Sequence, residues 1–121
     1  MTFPTINFKT TNIEVEDRLI DLLEDKLQSL NKYLGAETDV VCEAEFEKVT
    51  TSEKGSVHRL EVNLQVGGQL YRAEATEESF EKAIDEVRDE LDKELRRANR
   101  KRDSLIKKGG RKIKEMLRFG D

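Results

Sequence analysis

Few residues in this chain of 121 could perform acid–base or nucleophilic chemistry. His58 is the single histidine and Cys42 the single cysteine, and no nucleophile accompanies His58 at a spacing typical of a catalytic pair. We expect His58, at the start of a strand, to be a surface residue. We expect Cys42, in the apolar register of a strand, to be a buried and unreactive thiol. The sequence therefore predicts neither an enzyme nor a small-molecule substrate.

Metal and phosphate sites are also not indicated. Glu43, Glu45 and Glu47 share one face of a predicted strand and could hold a hard cation through their carboxylates. They lack turn geometry and mixed oxygen ligands, so a solvated strand face is the favoured interpretation. The glycine pair at 67–68 indicates a hairpin, because nothing in the chain resembles the phosphate loop GxxxxGK[ST]. We expect no metal and no cofactor.

Positive charge is concentrated near the end of the sequence. The formal net charge is −4, yet the stretch RRANRKRDSLIKKGGRKIK (96–114) contains ten Lys or Arg and one acid. Residues 1–95 have a net charge of −12 and residues 96–121 a net charge of +8. The helix dipole favours cations only within its last turn, so ten of them repel one another unless a polyanion neutralises them. Because arginine forks onto phosphate oxygens, a nucleic-acid partner is favoured over a solvated tail.

The sequence also limits the kind of nucleic-acid binding. The absence of a recognition-helix motif, zinc-finger spacing or a basic zipper argues against sequence-specific reading of DNA. Strand alternation places Phe46 and Tyr71 in the buried register, and the open sheet face carries glutamates that should repel phosphate: Glu43, Glu45, Glu47, Glu61 and Glu74. We therefore expect the helices and the basic end to bind RNA by its shape and backbone. A membrane-surface helix over 113–119 is the lesser alternative.

Hydrophobic spacing predicts an α+β fold in the order β-α-β-β-β-α. Thr5–Lys9 alternates like a strand, and the apolar residues between Val15 and Leu34 recur at helical spacing, with Gly35 as a cap. A period of two predicts strands in 40–49, 57–66 and 69–76, joined by hairpin turns at 52–56 and 67–68. The prediction is a four-stranded sheet, antiparallel for these three strands, with two helices packed on one face.

The second helix is expected to be longer than the core that it packs against. Thr76 could cap its start, its buried stripe ends at Leu95, and it could continue to Lys108, where Gly109 and Gly110 would stop it. Such a helix would be about 48 Å long. Residues 111–119 would form a further helical turn or two, or be disordered. We thus predict a domain over 1–98 and a basic helical extension and tail over 99–121.

The cellular compartment of the protein is predicted from features that the sequence lacks. No stretch approaches the roughly 20 apolar residues of a membrane span. The start MTFPTINFKTTN has no signal-peptide pattern, and one cysteine suits a reducing compartment. The expectation is a soluble cytoplasmic protein with no membrane partner.

Two stretches resemble the ribosome hibernation promoting factor and ribosome-associated inhibitor A family, in its short form. They are INFKTTNIEVEDRLIDLLEDKLQSLNKYL (6–34) and GGQLYRAEATEESFEKAIDEVRDELDKELRR (67–97). Within the second, Phe80 is followed by Ala83, Ile84 and Asp85, where the family has an aromatic residue followed by AID. The resemblance implies the same β-α-β-β-β-α fold, related in layout to double-stranded-RNA-binding domains. Residues 107–121 match no part of the family pattern.

The resemblance also implies a function. Family members act in the stress response by binding the small ribosomal subunit and its rRNA in the mRNA/tRNA channel, which inhibits translation by occupancy. On this pattern Lys26 and Lys32 of the first helix, with Arg96, Arg97, Arg100 and Lys101 of the second, would contact RNA. The basic run adds further candidates: Arg102, Lys107, Lys108, Arg111, Lys112 and Lys114.

Two other functions stay open at this point. One is a general RNA-binding or RNA-chaperone module, and the other is a protein-interaction module with a basic docking tail. The chain is expected to be a monomer off the ribosome. Whether it would pair ribosomes or silence single ones is left open by the sequence.

Overall fold

The protein is described by a computed structural model that covers residues 3–35, 37–49 and 56–119, with side chains as far as Arg102. The elements follow the predicted order. They are β1 (Ile6–Thr11), α1 (Asp17–Gln28), a 3₁₀ segment (Ser29–Tyr33), β2 (Val40–Lys48), β3 (His58–Val66), β4 (Gln69–Glu77) and α2 (Phe80–Phe119). Among the described helices, none is long and apolar enough to cross a lipid bilayer.

The four strands form one mixed sheet in the order β1-β2-β3-β4. β1 runs parallel to β2, with Ile6 opposite Cys42, so the chain must cross over between them, and α1 makes that crossover. β2, β3 and β4 are antiparallel, as predicted. Gly67 has φ +61° and supplies the positive φ of the short β3–β4 turn. The turn predicted at 52–56 lies outside the described residues apart from Ser56.

The core lies between one face of the sheet and the two helices, which confirms the predicted α+β layout. Phe46 on β2 is at its centre, with its ring edge-to-face against Phe80 at 5.1 Å between centroids. α1 contributes leucines at helical spacing, and α2 contributes a longer stripe. The buried members of these two sets are Leu19, Leu23 and Leu27 from α1, and Phe80, Ala83, Ile84, Val87, Leu91 and Leu95 from α2.

The first helical region differs from the prediction of one helix reaching Leu34. The α-helix ends at Gln28, and the chain continues as the 3₁₀ segment. The hydroxyl of Ser29 donates to the carbonyl oxygen of Lys26 at 2.8 Å, a local bond of the kind that competes with the α-helical ladder. Gly35, at φ +60°, follows as the predicted terminator.

The predicted start of the second helix was wrong by about one turn. β4 extends to Glu77, which pairs with His58, so Thr76 is in the sheet and does not cap the helix. Ser79 is the cap, because its hydroxyl accepts a hydrogen bond from the backbone N–H of Lys82 at 3.3 Å.

The predicted end of that helix was also wrong. α2 does not stop at the two glycines but runs through them to Phe119, a length of 40 residues or about 60 Å. Glycine in a helix interior costs only about 1 kcal/mol relative to alanine, and the flanking lysines, arginines and leucines favour helix. The helix is therefore continuous across the boundary proposed at 98/99.

Candidate nucleic-acid interface

The predicted RNA-binding residues with described side chains lie on α1, the 3₁₀ segment and α2, and none of them lies on a strand. Lys26 is in the last turn of α1, and Lys32 lies in the 3₁₀ segment and not in α1 as predicted. The five described cations at the basic end of α2 are all exposed: Arg96, Arg97, Arg100, Lys101 and Arg102. The side chains of Lys107, Lys108, Arg111, Lys112 and Lys114 lie outside the described side chains.

Tyr33 fastens the 3₁₀ segment to α2. Its hydroxyl donates to Asp92 Oδ1 at 2.8 Å, and Asn99 Nδ2 donates to the Tyr33 carbonyl oxygen at 3.3 Å. Arg96 falls between Asp92 and Asn99 along the helix, at neighbouring helical positions. The adjacent Lys32 places its Nζ 5.2 Å from the centroid of the Tyr33 ring. The structure therefore holds the segment that carries Lys32 beside Arg96.

Lys26 is set apart from this group. Its Nζ pairs with Asp85 Oδ1 of α2 at 3.2 Å, and only 34% of its side chain is exposed. Asp85 precedes Arg96 by about 16 Å along the helix axis. Lys26 thus lies over an acidic part of α2, where its charge is already matched.

The charges at the basic end surround the helix. Successive residues of an α-helix are turned by about 100°, so Arg96, Arg97, Arg100, Lys101 and Arg102 point to most sides of α2. Arg97 makes a loose pair with Glu94 at 3.6 Å, and its side chain stays 61% exposed. An exposed pair of this kind is worth little and would yield to a phosphate.

The open sheet face carries a cluster that sequence reasoning missed. Arg59 on β3 is only 19% exposed and is surrounded by carboxylates of three strands. Its guanidinium contacts Glu47 at 3.1 Å and Glu74 at 2.6 Å, and it also bonds to Glu61. Arg72 adds a contact to Glu61 at 2.8 Å. We call this set (Arg59, Arg72, Glu47, Glu61, Glu74) the Arg59 cluster.

Ionisation in the cluster follows from these contacts. Burial alone would lower the pKa of Arg59, but the hydrogen bonds to Glu74 and Glu61 outweigh it and raise that pKa. Burial likewise would raise the pKa of Glu61, but hydrogen bonds from Asn63, Arg59 and Arg72 lower it overall. Both arginines of the open face are therefore engaged internally. The strand register set by the Gly67 turn pairs Glu61 with Glu74. This register can be read from the sequence and could have predicted the cluster.

The two residues considered for catalysis, Cys42 and His58, both pack against the hydrophobic core. Cys42 is fully buried, as predicted, and burial together with the charge of Glu43 raises the pKa of its thiol to about 12. His58 was wrongly predicted as a surface residue. It is half-buried on the core side of β3, with its ring 4.8 Å from that of Phe80, because its register matches that of Leu60. Within the described residues, no group of His, Cys, Asp and Glu is arranged to hold a metal ion.

Known proteins of similar sequence carry ribosome-related names. The family model described as "Sigma 54 modulation protein / S30EA ribosomal protein" matches residues 6–103. A ribosome hibernation promotion factor of Deinococcus radiodurans is 33% identical over 86 residues, which cover 71% of this chain and 44% of that protein. A protein of the same name from Lactococcus lactis subsp. cremoris is 31% identical over 107 residues, covering 85% and 56%. The chain spans about half the length of the curated relatives it matches.

Solved structures share the fold. The N-terminal domain of Thermus thermophilus Protein Y superposes with a TM-score of 0.63 at 24% identity, covering 78% of this chain and 98% of that one. A ribosomal subunit interface protein from Coxiella burnetii gives 0.61 at 17% identity, covering 78% and 96%. These likenesses show the fold alone. With the family match over 6–103, they confirm the resemblance drawn from sequence: the chain belongs to the Sigma 54 modulation protein / S30EA ribosomal protein family.

Proposed function

We propose that this chain is a cytoplasmic ribosome hibernation factor. It binds the small ribosomal subunit through rRNA and inhibits translation by occupying the mRNA/tRNA channel. The observation that carries the proposal is the charge polarity of the fold. The five cations between 96 and 102 are exposed, with Arg97 only loosely paired to Glu94, whereas the arginines of the open sheet face are held by glutamates.

The names of the relatives supply the ribosome as the partner. Two proteins at 31–33% identity are called ribosome hibernation promotion factors. The acidic body then acts as a filter, because Glu43 and Glu45 on the open face repel phosphate while the basic end attracts it. Binding through backbone phosphates suits a target recognised by shape.

Sedimentation with ribosomes through sucrose gradients over a salt series tests the proposal. Each neutralised phosphate contributes about −0.7 to the log–log salt slope on single strands and about −0.9 on duplex RNA. We expect co-sedimentation with small subunits and a steep loss of binding as salt rises. An affinity that does not change with salt would contradict binding through the basic end.

Charge reversal locates the binding surface. Changing Arg96, Arg97 and Arg100 to Glu should weaken binding by at least about 100-fold, because one charge-assisted hydrogen bond contributes about 1.5–3 kcal/mol. The matched control reverses Lys82, Arg88 and Lys93, which lie in the first half of the same helix. This control changes the net charge equally and should bind within a few-fold of the unmodified chain. Equal losses in both variants would mean that net charge, and not the basic end, governs binding.

Inhibition should be stoichiometric, since occupancy of the channel involves no turnover. In a cell-free translation assay, half-inhibition should need protein at about half the ribosome concentration or more. Inhibition far below that ratio would point to an enzyme. Equal affinity for naked rRNA and intact subunits would favour a general RNA-binding module instead, and loss of binding to subunits stripped of protein would favour a protein partner.

A further inference from the structure

A cleft opens between the start of β4 and the basic end of α2. Its volume is about 440 Å³, and it is open to solvent. The residues that line it are Gln69, Tyr71, Glu94, Arg97, Ala98, Lys101 and Arg102.

The cleft lies where the large buried side chains described for α2 are followed by small and charged ones. Tyr71 lies in the core-facing register of β4, and it packs against the core only in part. Among the described side chains of α2, Leu95 is the last large buried one, and one turn later Ala98 lines the cleft. The small Ala98 side chain and the half-buried Tyr71 both line the cleft.

The walls of the cleft combine an aromatic ring with cations. Arg97, Lys101 and Arg102 line it and are exposed, and their aliphatic stems add apolar surface while their heads carry charge. The one acid, Glu94, is paired with Arg97 at 3.6 Å. Aromatic rings flanked by cations are the usual platform for unpaired nucleotides, because every base has a face that can stack.

We infer that this cleft accepts one unpaired nucleotide of RNA, its base against Tyr71 and its neighbouring phosphates on Arg97, Lys101 and Arg102. The inference rests on the proposed function and deepens it: the basic end holds single-stranded as well as helical RNA. An acidic peptide would match the cations equally well, but it would make no use of the aromatic ring.

Three variants of the full chain isolate the ring. Tyr71→Leu removes the aromatic face while keeping an apolar side chain, and Tyr71→Phe restores the ring without the hydroxyl. Ala98→Leu leaves Tyr71 in place and fills the cleft without changing charge. Leu70→Ala is the matched control, because Leu70 is the neighbouring residue on the opposite face of β4 and is 62% exposed.

Affinities are measured for a fluorescent oligouridine, for the same oligonucleotide with abasic sites, and for a poly-glutamate peptide. Circular dichroism checks that each variant is folded. We expect Tyr71→Leu and Ala98→Leu to weaken oligouridine binding by roughly 5- to 150-fold, the range measured when stacking residues are truncated. Tyr71→Phe and Leu70→Ala should bind within about threefold of the unmodified chain, and the Tyr71→Leu effect should vanish on the abasic oligonucleotide.

Two results would overturn the inference. One is equal binding of oligouridine by Tyr71→Leu and the unmodified chain. The other is a loss of the same size on the abasic oligonucleotide or on poly-glutamate. Ribosome sedimentation of the unmodified chain, run alongside, tests the proposed function separately. Ribosome binding that survives Tyr71→Leu unchanged, together with unchanged oligouridine binding, refutes the cleft and leaves the proposed function standing.

Discussion

Removing the central arginine of the open sheet face should destabilise the fold in a pH-dependent way. Arg59→Met keeps the apolar stem but deletes the guanidinium that bonds to Glu47, Glu61 and Glu74. Exposed ion pairs are worth about 0.2–1 kcal/mol, whereas breaking a buried pair costs about 3–5 kcal/mol. Arg59 is 19% exposed and Glu61 15% exposed, so the site lies between these limits. We expect the free energy of unfolding at neutral pH to fall by about 2–3 kcal/mol.

The matched control is Arg72→Met on the same face. Arg72 shares Glu61 and Glu74 as partners, but its side chain is 57% exposed, so its contacts are screened by water. Its loss should cost about 0.5 kcal/mol. Both variants are measured by urea unfolding followed by circular dichroism.

Acid supplies the decisive comparison. The pKa of Glu61 is lowered in the fold, so Glu61 contributes stability above its ordinary pKa of 4.5, and this contribution is lost as pH falls through the lowered value. Without Arg59, only Asn63 and Arg72 remain to lower the pKa of Glu61, so this contribution is smaller in the variant. The difference in the free energy of unfolding between the unmodified chain and Arg59→Met should therefore become smaller as pH falls below about 4.5. Equal stability at neutral pH, or a gap that stays constant in acid, would refute the reasoning.

Three further predictions concern the helices and the buried thiol. Ser79→Ala should lower the free energy of unfolding by about 1 kcal/mol, because it removes the helix cap. Thr76→Ala removes no cap and should not cause this loss. Thermal unfolding of the two variants compares them. Changing Gly109 and Gly110 to Ala should strengthen the far part of α2 by up to about 1 kcal/mol for each residue, seen as greater ellipticity at 222 nm, and unchanged ellipticity would contradict a helix through this point. Cys42, with its pKa raised to about 12, should resist a thiol reagent at mildly alkaline pH until urea unfolds the chain, and rapid labelling of the native protein would contradict its burial.

Much of the fold was predictable because its signals are local. The alternation through Cys42, Ala44 and Phe46 fixes which face of β2 is buried, and the leucine spacing of α1 does the same for the first helix. The register of β3 and β4 follows from the Gly67 turn. Each pattern repeats several times along its element, so a single exceptional residue does not change the prediction.

The errors arose where local preference competes with a distant partner. Thr76 is a good cap in isolation, but the pairing of Glu77 with His58 keeps the chain in the sheet for one more residue pair. His58 was expected on the surface because it starts a strand and has no accompanying nucleophile, but its register places its ring 4.8 Å from that of Phe80.

The candidate site was predictable only as a list of cations. The basic end was identified because its cations are close together in the sequence. The hydrogen bonds of Tyr33 to Asp92 and Asn99, by contrast, join residues about 60 positions apart. These long-range bonds place Lys32 beside Arg96, which the sequence pattern does not show. The sequence-predicted RNA contacts themselves remain predictions, to be tested by the charge reversals above.

The parallel pairing of β1 with β2 has a consequence for the order of folding. Ile6 of β1 pairs with Cys42 of β2, 36 residues later in the chain, whereas the antiparallel strands β2, β3 and β4 are joined by connections of nine and two residues. Closing the longer loop costs more chain entropy, and contacts between distant residues slow folding. During synthesis β1 must therefore wait unpaired until β2 emerges. We expect the β2–β4 meander with α2 to nucleate the domain, and β1 to be the last strand to dock.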